Sequence, residues 1–235
     1  MFELKKGIDI LSHIGGLKGS DEADKVFRDK MDDENFKKIK KIKNEEARLK
    51  IANAIVMGQP DSVFVNTGSP EDRQFIIDLA LKKGEEARLA IKGHTIHYDL
   101  AAEQARIIDR TYYITNDDEH VSALAQRISR EDALKYIQQY MTGIMKGMTL
   151  IVGFYARGPI GAEATIPAIE ATTSAYVCHS AELLYRNCFN AFDAEAERIG
   201  LFFTNVHSEG PNRPEDLPNA RVLMDRAHQT TCRMY

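Results

Sequence analysis

The sequence lacks any long uninterrupted apolar run. Its longest apolar segments, such as Leu150–Ala156, fall far short of the ~20 residues that a membrane-spanning helix needs. Polar residues also interrupt the apolar ones in the N-terminal segment 1–16, so a secretory signal is not expected. These absences predict a cytoplasmic protein without a transmembrane segment.

Cysteine is scarce and shows no pairing pattern. The three cysteines are Cys178, Cys188 and Cys232, and no Cys-x-x-Cys metal pattern occurs. An odd number argues against an exported disulfide-bonded protein. We therefore expect reduced thiols, with Cys178 and Cys188 in the core or at a helix end.

Positive charge is not in excess either. The net charge is −4 and the pI is about 6.0, which excludes a global attraction to nucleic acid or anionic lipid. The local exception is the basic run Lys37–Lys43. Acidic residues flank it, and apolar residues recur at helical spacing at Phe36, Ile39, Ile42, Leu49 and Ala52. This context favours a solvated helix face with i,i+4 charge pairs over a nucleic-acid patch.

Motifs for phosphate and metal binding are missing as well. No GxxxxGK[ST] phosphate loop and no HExxH occur, and His94 and His97 would lie on opposite faces of a strand. Phosphoryl transfer without phosphate-binding amides and a metal loses its main stabilisation. We therefore assign no catalytic, cofactor-binding or metal-binding residue.

The patterns that are present predict a mixed α/β fold. Residues 1–57 are charged and helically periodic, which predicts a helical preface to an α/β domain over 58–235 that continues from it. The apolar strand 61–68 ends in a glycine, and Ser69–Asp72 then begins a helix that should run to about Lys83 and stop at Gly84. Strand, turn and helix in this order indicate an α/β layer.

Further elements follow from local composition. We predict strands at Arg110–Ile114 and Leu201–Val206, and alternation allows another at Gly93–Asp99. A turn at 116–119 should lead into helical residues Ser122–Ile128, and Ser129 should cap a helix over Ala133–Met141.

Residues 145–186 carry the strongest pattern. It consists of these parts in order: Met145-Lys146-Gly147, the strand Leu150–Tyr155, Gly158-Pro159-Ile160-Gly161, Ile169-Glu170-Ala171-Thr172 and Ser174-Ala175-Tyr176-Val177. This order resembles the amino-terminal domain of GTP-dependent phosphoenolpyruvate carboxykinases. The resemblance implies a central mixed sheet with flanking helices. It also implies the reaction of oxaloacetate and GTP to phosphoenolpyruvate, GDP and carbon dioxide.

The resemblance covers only the amino-terminal part of such an enzyme. The family's ligands for manganese or magnesium, and its GTP phosphate loop, belong to residues beyond Tyr235, so this chain alone is expected to bind neither and to be inactive. The abrupt end at 232–235 suggests a truncation that removes a carboxy-terminal nucleotide domain. Two alternatives stay open: a stand-alone non-catalytic binding or assembly module, and the same part of a pyrophosphate-dependent carboxykinase.

The resemblance also implies a substrate-binding arginine. The family has the pattern Arg-x-x-x-x-Thr before a strand. Its arginine binds the carboxylate of a small dicarboxylate or phosphoenolpyruvate-type substrate. Arg106 and Thr111 match it. A planar guanidinium fits both oxygens of a carboxylate. The alternative is a surface arginine paired with Glu103 or Asp109.

Two further segments are weaker candidates. Arg157, Gly158 and Gly161 could form a site wall, because glycine allows close backbone approach, but a turn between two strands explains the glycines equally well and is favoured. The segment Asn205–Pro214 is rich in groups that could contact a ligand. Its proline and glycine content favours an exposed structural loop.

Overall fold

A computed structural model describes residues 6–98, 108–116, 119–211 and 213–235 of the chain. Over residues 6–58 it shows four helices: α1 (Ile10–Gly15), α2 (Ser20–Lys30), α3 (Asp33–Ile39) and α4 (Glu45–Gly58). Polar side chains begin three of them, since Asp9, Asp32 and Asn44 accept backbone N–H groups of the first turns. The division into a preface and a domain stays a prediction.

The basic run does not lie on one continuous helix. Helix α3 ends at Ile39 and α4 begins only after the cap at Asn44, so a single helix through Phe36 and Ala52 was a wrong prediction. Lys38 makes the expected i,i+4 pair with Glu34 at 3.0 Å, but it also pairs with the buried Asp72 at 2.7 Å. Its side chain is only 13% exposed, so this lysine is not part of a solvated face.

Eleven strands and four further helices follow in the described residues. The strands are β1 (Ser62–Asn66), β2 (Ala87–Arg88), β3 (Thr95–Ile96), β4 (Thr111–Thr115), β5 (Gln126–Ser129), β6 (Thr149–Arg157), β7 (Ile166–Thr172), β8 (Arg186–Asn187), β9 (Phe203–Ser208), β10 (Arg221–Asp225) and β11 (Thr230–Met234). The helices are α5 (Pro70–Lys83), α6 (Arg130–Met141), α7 (Ala175–Leu184) and α8 (Phe192–Ile199).

Nine of these strands form one mixed sheet. Its order is β1-β6-β7-β9-β11-β10-β4-β5, with the short β8 paired to β6, while β2 and β3 form a separate small pair. The β6–β7 and β10–β11 pairs are antiparallel, whereas β7–β9 and β9–β11 are parallel. Helices flank this sheet, which confirms the predicted mixed α/β fold.

Local capping signals gave accurate helix predictions. Ser69 Oγ accepts the N–H of Asp72 at 3.1 Å and Gly84 ends α5 at a φ of 73°, as its left-handed C-cap requires. Ser129 likewise caps α6, whose predicted residues 133–141 are helical. By contrast, the helix predicted over Ser122–Ile128 is wrong, because Gln126–Ser129 is strand β5, parallel to β4. The predicted strand Gly93–Asp99 is reduced to β3, and Asp99 lies outside the described residues.

The apolar core lies on both faces of the sheet. On one face, α2, α4 and α8 bury Phe27, Ile51 and Phe192 in one cluster with Phe154 of β6. On the other face, α5 and α7 cover Ile151 of β6 in a smaller cluster whose other buried members are Ile76, Ala80, Tyr155, Ala175, Cys178 and Ala181. Alternate residues of β6 thus enter opposite layers, as the two-residue repeat of a strand requires. No helix in the described part of the chain is long and apolar enough to span a bilayer.

Candidate functional site

The sheet face beneath α7 carries a row of polar side chains. Glu170 of β7 is directly paired with Asn205 of β9, and His207 of β9 is paired with Thr172 of β7 and with Arg233 of β11. Directly paired residues of neighbouring strands project to the same face of a sheet. The register therefore brings an acid, an amide, an imidazole and a guanidinium together.

Helix α7 forms the wall of an open pocket over this polar face. Ser174 Oγ accepts the N–H of Val177 at 3.2 Å and begins the helix. Cys178 and Ala181 hold α7 against β6. The pocket has a volume of about 340 Å³ and is lined by Arg157, Glu170, Tyr176, Val177, Ser180, Ala181, Leu184, Tyr185, Asn205, Val206, His207, Glu209, Val222, Thr231 and Arg233.

Glu170 lies in the floor of the pocket. Asn205 Nδ2 donates to its Oε2 at 2.9 Å. Burial raises the pKa of the Glu170 carboxyl to about 7, although the amide of Asn205 and the charges of Arg157 and Arg233 oppose the shift. Glu170 therefore exchanges a proton near neutral pH.

His207 presents an N–H to this pocket. Thr172 Oγ1 accepts the N–H of Ser174 at 3.0 Å and lies 2.8 Å from Nδ1 of His207. Among the described residues Nδ1 is the one acceptor within reach of the Thr172 hydroxyl hydrogen, so we assign the hydroxyl as the donor to Nδ1. This assignment places the proton of the neutral ring on Nε2, which has no hydrogen-bond partner and lies 3.9 Å from Glu209 Oε1. Burial lowers the pKa of His207 to about 3, with Arg233 and Lys83 adding to the effect, so the ring is neutral at physiological pH.

Two arginines supply positive charge. The guanidinium of Arg157 lies 5.5 Å from the ring centroid of Tyr185, in the range of a cation–π contact. The Nε of Arg233 is buried without a hydrogen-bond partner. Because guanidinium groups stay charged at any physiological pH, the pocket suits a ligand with negatively charged oxygens.

The sequence-predicted residues divide into three groups. Arg106 lies outside the described residues, and its role as a carboxylate ligand stays a prediction. Arg157 lines the pocket. Gly158 and Gly161 lie in the turn between β6 and β7 with φ values of 126° and 87°, and neither lines the pocket. A Cβ at Gly158 would lie 2.8 Å from Thr165 Oγ1, so the turn alone explains this glycine. Their role as a site wall stays untested.

Sequence reasoning missed most of the pocket. Asn205–Ser208 belongs to β9, so the prediction of an exposed loop over Asn205–Pro214 was wrong for these four residues. Asn205, His207 and Glu209 all line the pocket. The alternation of Asn205 and His207 with the buried Val206 was the signal that could have identified them. Arg233 had no comparable local signal.

Comparison with known proteins places this fold in a family. A family model described as "Phosphoenolpyruvate carboxykinase N-terminal domain" matches residues 50–234. The chain belongs to the phosphoenolpyruvate carboxykinase family. It is 37% identical over 204 residues to the phosphoenolpyruvate carboxykinase (GTP) of Thermococcus kodakarensis, covering 85% of this chain and 32% of that protein.

Other carboxykinases show the same partial coverage. The GTP enzyme of Pyrococcus furiosus is 36% identical over 216 residues, covering 89% of this chain and 34% of that protein. The cytosolic GTP enzyme of Gallus gallus is 29% identical over 161 residues, covering 65% of this chain and 26% of that protein. The chain thus spans about a third of the archaeal carboxykinases that it matches.

Proposed function

We propose that this chain is the substrate-side, N-terminal part of a GTP-dependent phosphoenolpyruvate carboxykinase, acting in the cytoplasm. The whole enzyme would convert oxaloacetate and GTP to phosphoenolpyruvate, GDP and carbon dioxide. The observation that carries the proposal is the family match over residues 50–234. The relatives at 36% and 37% identity are named as GTP enzymes, which supports GTP over pyrophosphate as the phosphoryl donor.

The chain's part in that reaction is to bind the carboxylate substrate. Arg106 presents a charged, planar guanidinium whose parallel N–H groups match both oxygens of a carboxylate. Binding of this kind positions the substrate for phosphoryl transfer, a reaction in which positioning and charge stabilisation provide most of the catalysis.

The residues present here do not fit the metal and nucleotide. No group of three or more His, Cys, Asp or Glu side chains in the described ranges could hold a metal ion. The sequence contains no GxxxxGK[ST] loop to cradle the phosphates of GTP. We therefore derive no step through manganese, magnesium or GTP, and we propose that the chain alone does not catalyse the reaction.

An activity assay tests this proposal. The chain is incubated with oxaloacetate, GTP and manganese, and phosphoenolpyruvate is measured. We expect no enzyme-dependent product from the chain alone. Product formation by these 235 residues would overturn the assignment of the nucleotide and metal machinery to another part of the enzyme.

A further inference from the structure

We infer that the pocket beneath α7 is a binding site for a small oxyanion, held by Arg157, Arg233 and Nε2 of His207, with the Glu170 carboxyl beside them. No family resemblance assigns this pocket a ligand. The inference stands on the pocket's own geometry and does not rest on the proposed carboxykinase activity.

Two buried donors in the pocket lack hydrogen-bond acceptors. His207 is only 3% exposed, yet its Nε2 has no hydrogen-bond partner, and Nε of Arg233 is likewise buried without one. Buried polar groups are almost always hydrogen-bonded, and leaving one unpaired costs about 1–3 kcal/mol. The register pairs His207 with Arg233 across β9 and β11, so both donors lie on the same face. One ligand oxygen, or two oxygens of the same group, could accept both N–H groups.

The two arginines bring positive charge to the pocket that no ion pair within the described residues neutralises. The guanidinium of Arg157 lies over the ring of Tyr185, and the side chains of Arg157 and Arg233 form no ion pair or hydrogen bond within the described residues. Glu170 interacts electrostatically with both but is only partly ionised near neutral pH. An anion in the pocket would supply negative charge and accept N–H groups from both guanidinium groups.

The size of the pocket limits the ligand. A volume of about 340 Å³ lies at the small end of the range for ligand sites. Carboxylate and phosphate groups share the chemistry that guanidinium groups recognise. We therefore assign the pocket to a small molecule that carries one of these two oxyanion groups.

Glu170 makes the binding depend on pH. Its carboxyl has a pKa of about 7; when protonated it can donate an O–H to the anion, and when ionised it repels the anion. The other titratable or charged groups that line the pocket or interact electrostatically with Glu170 are Arg157, Tyr176, Cys178, Tyr185, His207, Glu209 and Arg233. Because the pKa of Glu170 lies near 7, we expect this carboxyl to set the pH dependence of binding.

Titration of the 235-residue chain with sulfate and with acetate tests the inference. Neither anion changes its charge near neutral pH, sulfate represents the tetrahedral phosphate group, and acetate represents the carboxylate group. The ¹⁵N chemical shifts of the His207 ring report hydrogen bonding at Nε2, and calorimetry gives the affinity. We expect at least one anion to bind and to shift Nε2, and the tighter one identifies the ligand's group. No binding of either at millimolar concentration would overturn the proposal.

Variants locate the binding. Arg233→Met and Arg157→Met should each weaken binding by about tenfold or more, because hydrogen bonds to charged groups are stronger than those between neutral groups. Arg127→Met removes the same charge from the exposed face of the edge strand β5 and should keep the affinity of the unchanged chain. If both pocket variants fold, as judged by circular dichroism, and bind with unchanged affinity, the site assignment is wrong.

The pH dependence provides a second test that needs no change in the arginines. With a pKa of about 7 and binding only to the protonated form, affinity should be about tenfold weaker near pH 8 than near pH 6. Glu170→Gln, which mimics the protonated acid, should bind with little pH dependence. Equal affinity of the unchanged chain at both pH values would overturn the role of Glu170 and the proposed ligand geometry. These sulfate and acetate readouts are independent of substrate turnover, so a failure here is distinguishable from a failure of the carboxykinase proposal.

Discussion

The buried cluster around Asp225 should make a large contribution to stability, and Asp225→Asn tests it. Arg130 donates to both carboxylate oxygens of Asp225, at 2.6 and 3.0 Å, and His228 Nδ1 lies 2.9 Å from Oδ2. Arg130 also donates to the carbonyl of Ile8 at 3.0 Å, so the cluster joins the N-terminal segment, α6 and the β10–β11 hairpin.

The expected magnitude follows from the pKa of Asp225. Burial raises this pKa, but hydrogen bonds from His228 and Arg130 outweigh burial and lower it from 3.8 to about 2. At 1.36 kcal/mol per pKa unit, the ionised carboxylate adds about 2.5 kcal/mol to the free energy of unfolding. Because Asp225→Asn also leaves the buried guanidinium of Arg130 without its counter-charge, we expect a loss of about 3 kcal/mol at neutral pH.

Urea denaturation followed by circular dichroism measures this loss. A group with a lowered pKa stabilises the fold above its unfolded value, so the advantage of the unchanged chain over the Asp225→Asn variant should be full near neutral pH. This difference in the free energy of unfolding should decrease as pH drops from 3.8 toward about 2. Glu131→Gln, in an exposed pair with Lys135, makes the same chemical change and should have no measurable effect. A loss of less than about 1 kcal/mol in Asp225→Asn, or one that does not change with pH, would refute this reasoning.

Three further predictions follow from packing. Lys38→Met should destabilise the chain by about 2 kcal/mol, because it leaves the carboxylate of Asp72 buried without its cation. Gly15→Ala should cost about 1–3 kcal/mol, because a Cβ there would lie 2.7 Å from the Cα of Asn53. The native protein should resist thiol reagents at mildly alkaline pH and react fully after unfolding, since burial raises the pKa of each thiol to about 12 in Cys178, Cys188 and Cys232.

Matched measurements check these three predictions. Thermal and urea unfolding of Lys37→Met, an exposed neighbour in the same helix, should show little change, and an equal loss in Lys37→Met and Lys38→Met would contradict the buried-pair interpretation. Unchanged stability of Gly15→Ala would contradict the close contact of α1 with α4. Rapid labelling of any cysteine in the folded chain would contradict its burial.

The sequence predicted elements whose signals are local. Helix α5 is capped by Ser69 at its start, where Pro70 follows, and by Gly84 at its end. These limits were predictable because helix capping depends on residues that are neighbours in the sequence. Strand β5 was missed because its four residues gain their hydrogen bonds from β4, which no local pattern reveals. The break before α4 was missed because apolar spacing continued across the segment 40–44, where Asn44 caps a new helix.

The pocket was less predictable than the fold. Arg157 was identified because it precedes a glycine-proline turn, but its neighbours come from strands that are far apart in sequence. Asn205 donates a hydrogen bond to Glu170, and His207 pairs with Arg233, because β7, β9 and β11 are neighbours in the sheet. Polar residues at such positions acquire a role only when the strand register is known.

The most direct test of the central claim is the binding of phosphoenolpyruvate to this chain, measured by calorimetry. We expect saturable binding that Arg106→Ala abolishes and that Arg127→Ala, at an exposed strand arginine, leaves unchanged. Equal affinity in Arg106→Ala, or no binding by the unchanged chain at millimolar ligand, would contradict the claim that these residues form the substrate side of a carboxykinase.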